Sequence, residues 1–539
     1  MKPELGTALL SVLFAAGAAF AQATQTPVER ADETLRPAPA AERFEPVLDE
    51  WWQDAVFYEV FVRSFADSTS GPLAGDGVGD LRGLIERLDY LNDGNPETDT
   101  DLGVTALWLM PITESPSYHG YDTTDYRVVE RDYGTNKDFR DLVAACDARG
   151  IRVTIDLVLN HCSREHPWFE WSAQGVGSFR DWFIWRDEHP GWNGPWNQPV
   201  WHERDGAFYY GLFWGGMPDL NYENPEVTRE MLDVVRFWLE DMALDGFRMD
   251  AIRHLIEDGQ VQDNTPATHE WLQTYFRHVK SIDPDAMSVG EIWAPSDDVS
   301  RYVGDQMDLA FEFWLAESIV TSVRDRASTA FNERMAIVNR LYPTGMYATF
   351  LRNHDQPRVM HAMGGDVEAA RLAASVQFAL PGVPYIYYGE EIGMTADKPD
   401  PQIRTPMQWN DTQNAGFSSA QPWIAPKPDY TKVNVAAQSG DPASLLSHYR
   451  TLVRLRLGNE TLRKGRLVPV EVGDDRLLVF RRLGEEELLC VFNLSDESVS
   501  VEALPEGVRS RVGSDLLSGE DRVPRALRPR GAHYFVLRD

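Results

Sequence analysis

From Trp51 onward the chain alternates short apolar runs with stretches in which apolar residues recur every three or four positions. The short runs predict strands at 55–65, 104–111, 151–160, 246–252, 287–293, 309–314, 347–353 and 383–389. Most are apolar at nearly every position rather than every second one, which suits parallel strands buried on both faces. The longer stretches predict amphipathic helices with recognisable ends. Asn224-Pro225 is an N-cap followed by proline at the first helical position. Val227, Met231, Val234, Val235, Trp238, Leu239 and Met242 then mark one helical face. Thr135 and Asp138 predict a capping box with Asp in place of the usual Glu; Phe139, Leu142, Val143 and Cys146 follow, and Gly150 ends the helix. Repeated βα units of this length predict an α/β chain built on a (β/α)8 barrel over 49–460.

Two stretches break the rhythm. About sixty residues rich in Trp, Gly and Pro separate Asn160 from the helix at 225, too many for a plain loop. Residues 162–222 are therefore predicted to form a small domain inserted after the third strand. Beyond about residue 460, the runs 476–483, 487–494 and 498–504 predict a C-terminal antiparallel β-sandwich over 461–539. At the other end, Lys2, an apolar run from Leu9 to Ala19 and the small-x-small pattern Ala19-Phe20-Ala21 predict a signal peptide within 1–23. That run is too short to span a bilayer, so the expectation is an exported protein, secreted or periplasmic, with no membrane span after processing. Residues 24–48, rich in Ala, Pro, Thr and Glu, are predicted to be a linker.

The charge balance narrows the function. The 539 residues carry 84 acidic against 51 basic side chains, a formal net charge of −33. Such a surface repels phosphate backbones and anionic membranes, which argues against nucleic acid as a partner, while a neutral ligand is indifferent to it. Three cysteines, Cys146, Cys162 and Cys490, are too few for a disulfide framework, and a chain this long does not need one.

Candidate chemistry gathers at the ends of four predicted strands: VTIDLVLNH (153–161), GFRMD (246–250), VGEIW (289–293) and LRNHD (351–355). A barrel brings strand C-terminal ends to one mouth, so the three carboxylates Asp250, Glu291 and Asp355 are expected to converge. Arg248 and Asp250, two apart on one strand, emerge on the same face, and the cation favours an ionised carboxylate suited to a nucleophile. A glutamate at 291, close to other carboxylates and backed by apolar residues, is favoured in its neutral form, as a general acid requires. Two such groups are what hydrolysis of a glycosidic bond needs.

These segments resemble the signature regions of the α-amylase family of retaining glycosidases, glycoside hydrolase family 13. MPDLN (217–221), HGYD (119–122) and RTPMQW (404–409) resemble further family segments, and the similarity spans roughly 50 to 535. The resemblance implies a double displacement with Asp250 as nucleophile, Glu291 as acid and base, and Asp355 as a stabiliser of the transition state. It also implies that His161, His354 and Arg248 hold the sugar and the nucleophile, and that Tyr121 stacks on the ring. Asp122 and Arg404 match a pair that grips the non-reducing end in α-glucosidase members. Yet the surrounding motifs are similar to a bacterial α-amylase group intermediate between oligo-1,6-glucosidases and neopullulanases. Ala251 resembles α-1,4-specific members, where α-1,6-specific relatives carry valine. The expected substrate is an α-1,4-glucan or malto-oligosaccharide, with endo and exo cleavage both open. A transglycosylating or isomerising member is the second expectation, and a non-catalytic binding subunit a remote third.

The resemblance further implies structural calcium. The loop 66–80 is similar to the family's Asp-rich calcium loop, with Asp67, Asp76, Asp80 and the Val78 carbonyl as oxygen ligands. A second site would use Asn160 and a backbone carbonyl at His254. Most of the 17 tryptophans are expected to be packing residues, with Trp196, Trp201 and Trp214 as candidates to line the cleft.

Overall fold

The apolar runs form the parallel sheet that their burial pattern predicts. In the computed structural model, which describes residues 38–40, 50–521 and 524–538, eight strands build it. They are β1 (Phe57–Val60), β2 (Ala106–Leu109), β3 (Arg152–Leu157), β4 (Gly246–Met249), β5 (Met287–Gly290), β6 (Leu309–Ala310), β7 (Ala348–Thr349) and β8 (Val383–Tyr387). Their order is β6-β5-β4-β3-β2-β1-β8-β7, and a parallel bridge between Phe311 and Ala348 joins the two ends into a ring. Every residue of β1, β2, β4, β5 and β8 is buried, and in β3 only the leading Arg152 is exposed. The predicted signal peptide and most of the predicted linker lie outside the described residues. No helix among the described residues is long and apolar enough to cross a membrane.

The strands are shorter than the apolar runs. Of 55–65, only 57–60 is strand, and Val62–Phe65 is already helix. Likewise Phe313 opens the helix Phe313–Asp325, and only Ala348–Thr349 of 347–353 pairs in the sheet. An apolar run reports burial, and here the chain stays buried after it leaves the ladder. Those departing residues are the ones that carry the site.

Helix ends follow their local chemistry. Thr135 accepts the Asp138 N–H while the Asp138 carboxylate accepts the Thr135 N–H at 3.0 Å, capping Asn136–Asp147. Asn224 accepts the Glu226 N–H at 2.9 Å and starts Pro225–Arg236, which runs on into a π-helical turn, Phe237–Asp241.

After β3 the chain leaves the barrel to form the helix Pro167–Ala173 and a three-stranded antiparallel sheet of Trp185–Arg186, Ala207–Tyr210 and Trp201–Arg204. This unit has its own apolar cluster of Val200, Trp201, Tyr210 and Leu212. It is stitched back to the end of β3 by a bridge between His161 and Asp219 and by the Leu220 N–H on the Asn160 carbonyl at 3.0 Å. The C-terminal part is a five-stranded antiparallel sheet with a two-stranded ribbon, Val499–Ser500 and Ala526–Leu527. Alternate residues of its strands divide the work: Leu478, Phe480, Leu488, Cys490 and Phe492 join the barrel core. Leu477, Val479, Leu489, Val491 and Phe535 pack with the ribbon on the other face. The predicted strand 498–504 is confined to its first part, since Val501–Ala503 turns as a 3-10 helix. All three cysteines are buried and unpaired.

Candidate active site

The mouth of the barrel is organised by one buried cation. Gly246 opens β4 where a Cβ would lie 2.2 Å from the Met287 carbonyl, so only glycine lets β4 and β5 approach. Two residues on, Arg248 is fully buried with its guanidinium 5.1 Å from the centre of the Trp108 ring. Its Nη1 donates to Asp250 Oδ1 at 2.7 Å and to both oxygens of Asp156 at 2.8 and 3.0 Å. Its Nη2 lies 3.0 Å from Glu291 Oε2, without the alignment of a hydrogen bond. Three carboxylates thus share one guanidinium, which compensates a burial that isolated anions would not tolerate.

The two candidate reacting acids differ in what surrounds them. Burial raises the pKa of Asp250, Arg248 pulls it back and Asp156 pushes it up again, leaving it at about 6. Glu291 is pushed up to about 7, by burial first and by Asp250 and Asp355 in addition, with Arg248 opposing. Glu291 also accepts the Ala251 N–H at 3.0 Å. Ala251 adopts a left-handed conformation (φ 48°, ψ 28°), a strain of about 1–2 kcal/mol for a residue with a Cβ. That turn aims the N–H that follows Asp250 at Glu291.

Asp355 sits opposite, held by two cations. Burial works against its charge, but His354 and Arg404 outweigh it and keep its pKa well below the usual carboxylate range. His354 Nε2 is 3.2 Å from Asp355 Oδ2, and Arg404 Nη2 donates to Asp355 Oδ1 at 2.8 Å. His354 has no exposed surface, and its Nδ1 is 2.5 Å from Glu59 Oε1 on β1. Burial opposes its charge, yet Asp355 and Glu59 hold its pKa up at about 9, so it is a cation. Tyr121 OH lies 2.7 Å from His354 Nε2 and donates to Asp156 Oδ2 at 2.9 Å. A continuous polar chain therefore runs Glu59, His354, Tyr121, Asp156, Arg248, Asp250 across the barrel mouth.

The other expected contacts fall around this chain. His161 is buried, its pKa pushed down to about 3 by burial, and its Nε2 meets the Tyr121 carbonyl at 3.1 Å, so it braces the Tyr121 loop as a neutral ring. Asp122 is held by the hydroxyls of Ser115, at 2.8 Å, and Ser117. Arg404 turns instead to Asp355, to the His354 carbonyl at 3.0 Å and to Asp400 at 3.4 Å. Asp122 and Arg404 both border the site without touching each other's partners. Trp196 rests 5.9 Å from His254 and 5.8 Å from Phe213, whose ring is 5.3 Å from His161. Trp201 does not line a cleft: it is 6 % exposed and packs on Trp192 and Tyr210 in the core of the insert. Trp214 is 42 % exposed.

The two candidate cation positions differ. In the 66–80 loop, Asp67 accepts the N–H groups of Gly75 and Gly77 at 2.8 and 2.9 Å. Asp80 accepts those of Gly83 and Ser68 at 2.9 and 3.1 Å, and Asp76 accepts that of Val78 at 2.9 Å. Neither buried carboxylate there has an unpaired oxygen. Among the described residues no group of three or more acidic, His or Cys side chains is arranged to hold a metal ion. Asn160 is different: its Oδ1 is buried with no partner, while its amide donates to Asp219 Oδ2 at 3.1 Å. Asp219 is pushed up to about 7 by burial. An orphaned oxygen beside a buried carboxylate fits a hard cation.

Glu59 and Asp156 did not figure among the expected residues. Both interrupt otherwise apolar strands, FYEV and RVTIDL, and a charge inside a buried strand demands a partner. That demand was a readable signal. Asp400 and Asp219 complete the set.

A parallel barrel with three carboxylates gathered at its C-terminal mouth around buried cations has the architecture of a glycosidase. The family model described as "Alpha amylase, catalytic domain" matches residues 59–465. The chain is 38 % identical over 455 residues to "Alpha-amylase 3" of Dictyoglomus thermophilum, covering 83 % of this chain and 86 % of that one. It is 33 % identical over 573 residues to the "Oligo-1,6-glucosidase" of Parageobacillus thermoglucosidasius, covering 90 % and 99 %. Among solved structures, an α-amylase from H. orenii superposes with a TM-score of 0.77 at 36 % identity, covering 90 % of this chain and 97 % of that one. The chain belongs to the α-amylase family, glycoside hydrolase family 13.

Proposed function

We propose that this enzyme hydrolyses α-1,4-glucosidic bonds of starch-derived glucans and malto-oligosaccharides with retention of anomeric configuration. One observation carries the reading: Asp250 and Glu291 share the Arg248 guanidinium but hold protons differently, near 6 and near 7. Ionised Asp250 attacks the anomeric carbon while Glu291 gives its proton to the leaving oxygen. Forming the ester consumes the charge of Asp250, which lowers the pKa of Glu291 and readies it to take a proton from water in the second step. Asp355, kept ionised by His354 and Arg404, faces the positive charge that develops on the sugar.

A second reading, exo cleavage as an α-glucosidase, is favoured by Asp122 and Arg404 at the edge of the site. A time course on maltoheptaose resolved by chain length separates the two. Mixed shorter oligosaccharides at the earliest points support the α-amylase reading, and stepwise glucose supports the second. Products longer than maltoheptaose would instead indicate a transferring enzyme, and conversion without change of size an isomerising one.

The proposal includes a structural calcium ion held by Asn160 and Asp219. It would neutralise a buried carboxylate and tie the insert to the end of β3. Export, resting on residues 1–23, belongs to the same reading.

A further inference from the structure

Glu59 places a carboxylate inside the buried strand β1, where it is 2 % exposed. Among the described residues its side chain makes one hydrogen bond, to His354 Nδ1 at 2.5 Å. A carboxylate only accepts, so Nδ1 carries a hydrogen. The other ring nitrogen is fixed from the opposite side. His354 Nε2 meets Asp355 Oδ2 at 3.2 Å and Tyr121 OH at 2.7 Å. Asp355, ionised against its burial by His354 and Arg404, accepts. Tyr121 spends its one hydroxyl hydrogen on Asp156 Oδ2 at 2.9 Å and can only accept from the ring. Nε2 therefore carries a hydrogen as well, and the partners alone make His354 an imidazolium. With no exposed surface, the ring cannot trade these partners for water.

We propose that Glu59 is a positioning residue for catalysis: by holding the hydrogen on His354 it sets the direction of the hydrogen bonds that run through Tyr121 to Asp156 and Arg248. This rests on the glycosidase chemistry proposed above and adds to it a group on β1 that touches neither Asp250 nor Glu291. Without the Glu59 charge, burial weighs more heavily against a charged ring. Once the ring is neutral with its hydrogen on Nδ1, Nε2 becomes an acceptor. Tyr121 then turns its hydroxyl hydrogen to Nε2 and releases Asp156. Asp156 in turn draws Arg248 Nη1, which it shares with Asp250, toward itself. Asp355 meanwhile loses one of its two cations. A charge on one strand is thereby felt at the nucleophile and at the stabilising carboxylate together. The other charged groups about the pair are Asp156 and Arg404 around His354, and Tyr387, Arg358 and Glu390 around Glu59. Glu390 is pushed up to about 8 by burial, with its hydrogen bond from Tyr449 opposing, so the imidazole itself must be observed.

The test reads the ring directly, in the full chain labelled with ¹⁵N-histidine, with H354N used to assign the signal. At about pH 8, ¹H–¹⁵N spectra should show both His354 nitrogens protonated in wild type and one of them bare in E59Q. At the same pH, kcat/KM on maltoheptaose should fall about ten-fold or more in E59Q. The deficit should shrink toward about pH 6 as the ring regains its proton, and E59D, which keeps the charge, should recover much of it. A wild-type ring with a bare nitrogen would overturn the proposal, and so would an E59Q ring that keeps both protons. A deficit equal at every pH and no smaller in E59D would reduce Glu59 to a packing group and overturn it likewise. Failure of the wild type to cleave maltoheptaose would overturn the function proposed above, and the spectra would still decide for or against Glu59.

Discussion

At the scale of single residues, function depends on which carboxylate keeps its proton. In the proposed double displacement Asp250 is ionised and Glu291 protonated in the first step, so kcat/KM on maltoheptaose should form a narrow bell. Activity is lost below about pH 6 as Asp250 protonates and above about pH 7 as Glu291 ionises, the two titrating as a coupled pair. Asp250→Asn should lower turnover about 10⁴-fold or more with the fold intact by circular dichroism. Glu291→Gln should cost about 10²–10⁴-fold on glucans and much less on an aryl glycoside with a good leaving group. Equal losses on both substrates would remove Glu291 as the acid. The three acids were legible because each ends an apolar run. Glu59 and Asp156 were less so, because they act through His354, Tyr121 and Arg248, and which cation a buried acid meets is decided by barrel closure.

At the scale of elements, the site depends on how strands end. β4 ends one residue before Asp250 and two before the left-handed Ala251, and β5 ends one residue before Glu291. The spacing between β4 and β5 requires Gly246. Gly246→Ala should therefore cost about 2–4 kcal/mol in chemical denaturation and lower kcat further by displacing Arg248. Wild-type stability and activity in that variant would show that the strands can part without consequence. Helix caps at Thr135 and Asn224 were legible because capping is a local reaction of neighbouring residues. Strand lengths were overestimated because apolar runs record burial, whereas pairing ends where the backbone turns toward the mouth.

At the scale of the whole molecule, buried arginines that meet carbonyls rather than acids brace the barrel and tie the C-terminal sheet to it. Arg456 donates to the carbonyls of Phe378, Leu380 and Gly382, and Arg482 to those of Ala379, Leu462 and Gly465. Burial lowers their pKa values to about 9 and about 10. Arg482→Met should leave several carbonyls unpaired and cost at least about 3 kcal/mol, read as a lower Tm, with unchanged KM. The alternation of the sheet's two faces was plain in the chain, but these anchors were not, since backbone carbonyls leave no mark in a sequence. The formal net charge of −33 leaves a neutral glucan unopposed.

A covalent displacement at Asp250 is tested most directly by ¹H NMR of maltoheptaose cleavage. Following the anomeric protons from the first minutes, shorter malto-oligosaccharides should appear with their new reducing ends in the α configuration, relaxing to the mutarotated mixture only later. New reducing ends released first as the β anomer would contradict the account, since a single inverting displacement would then have occurred.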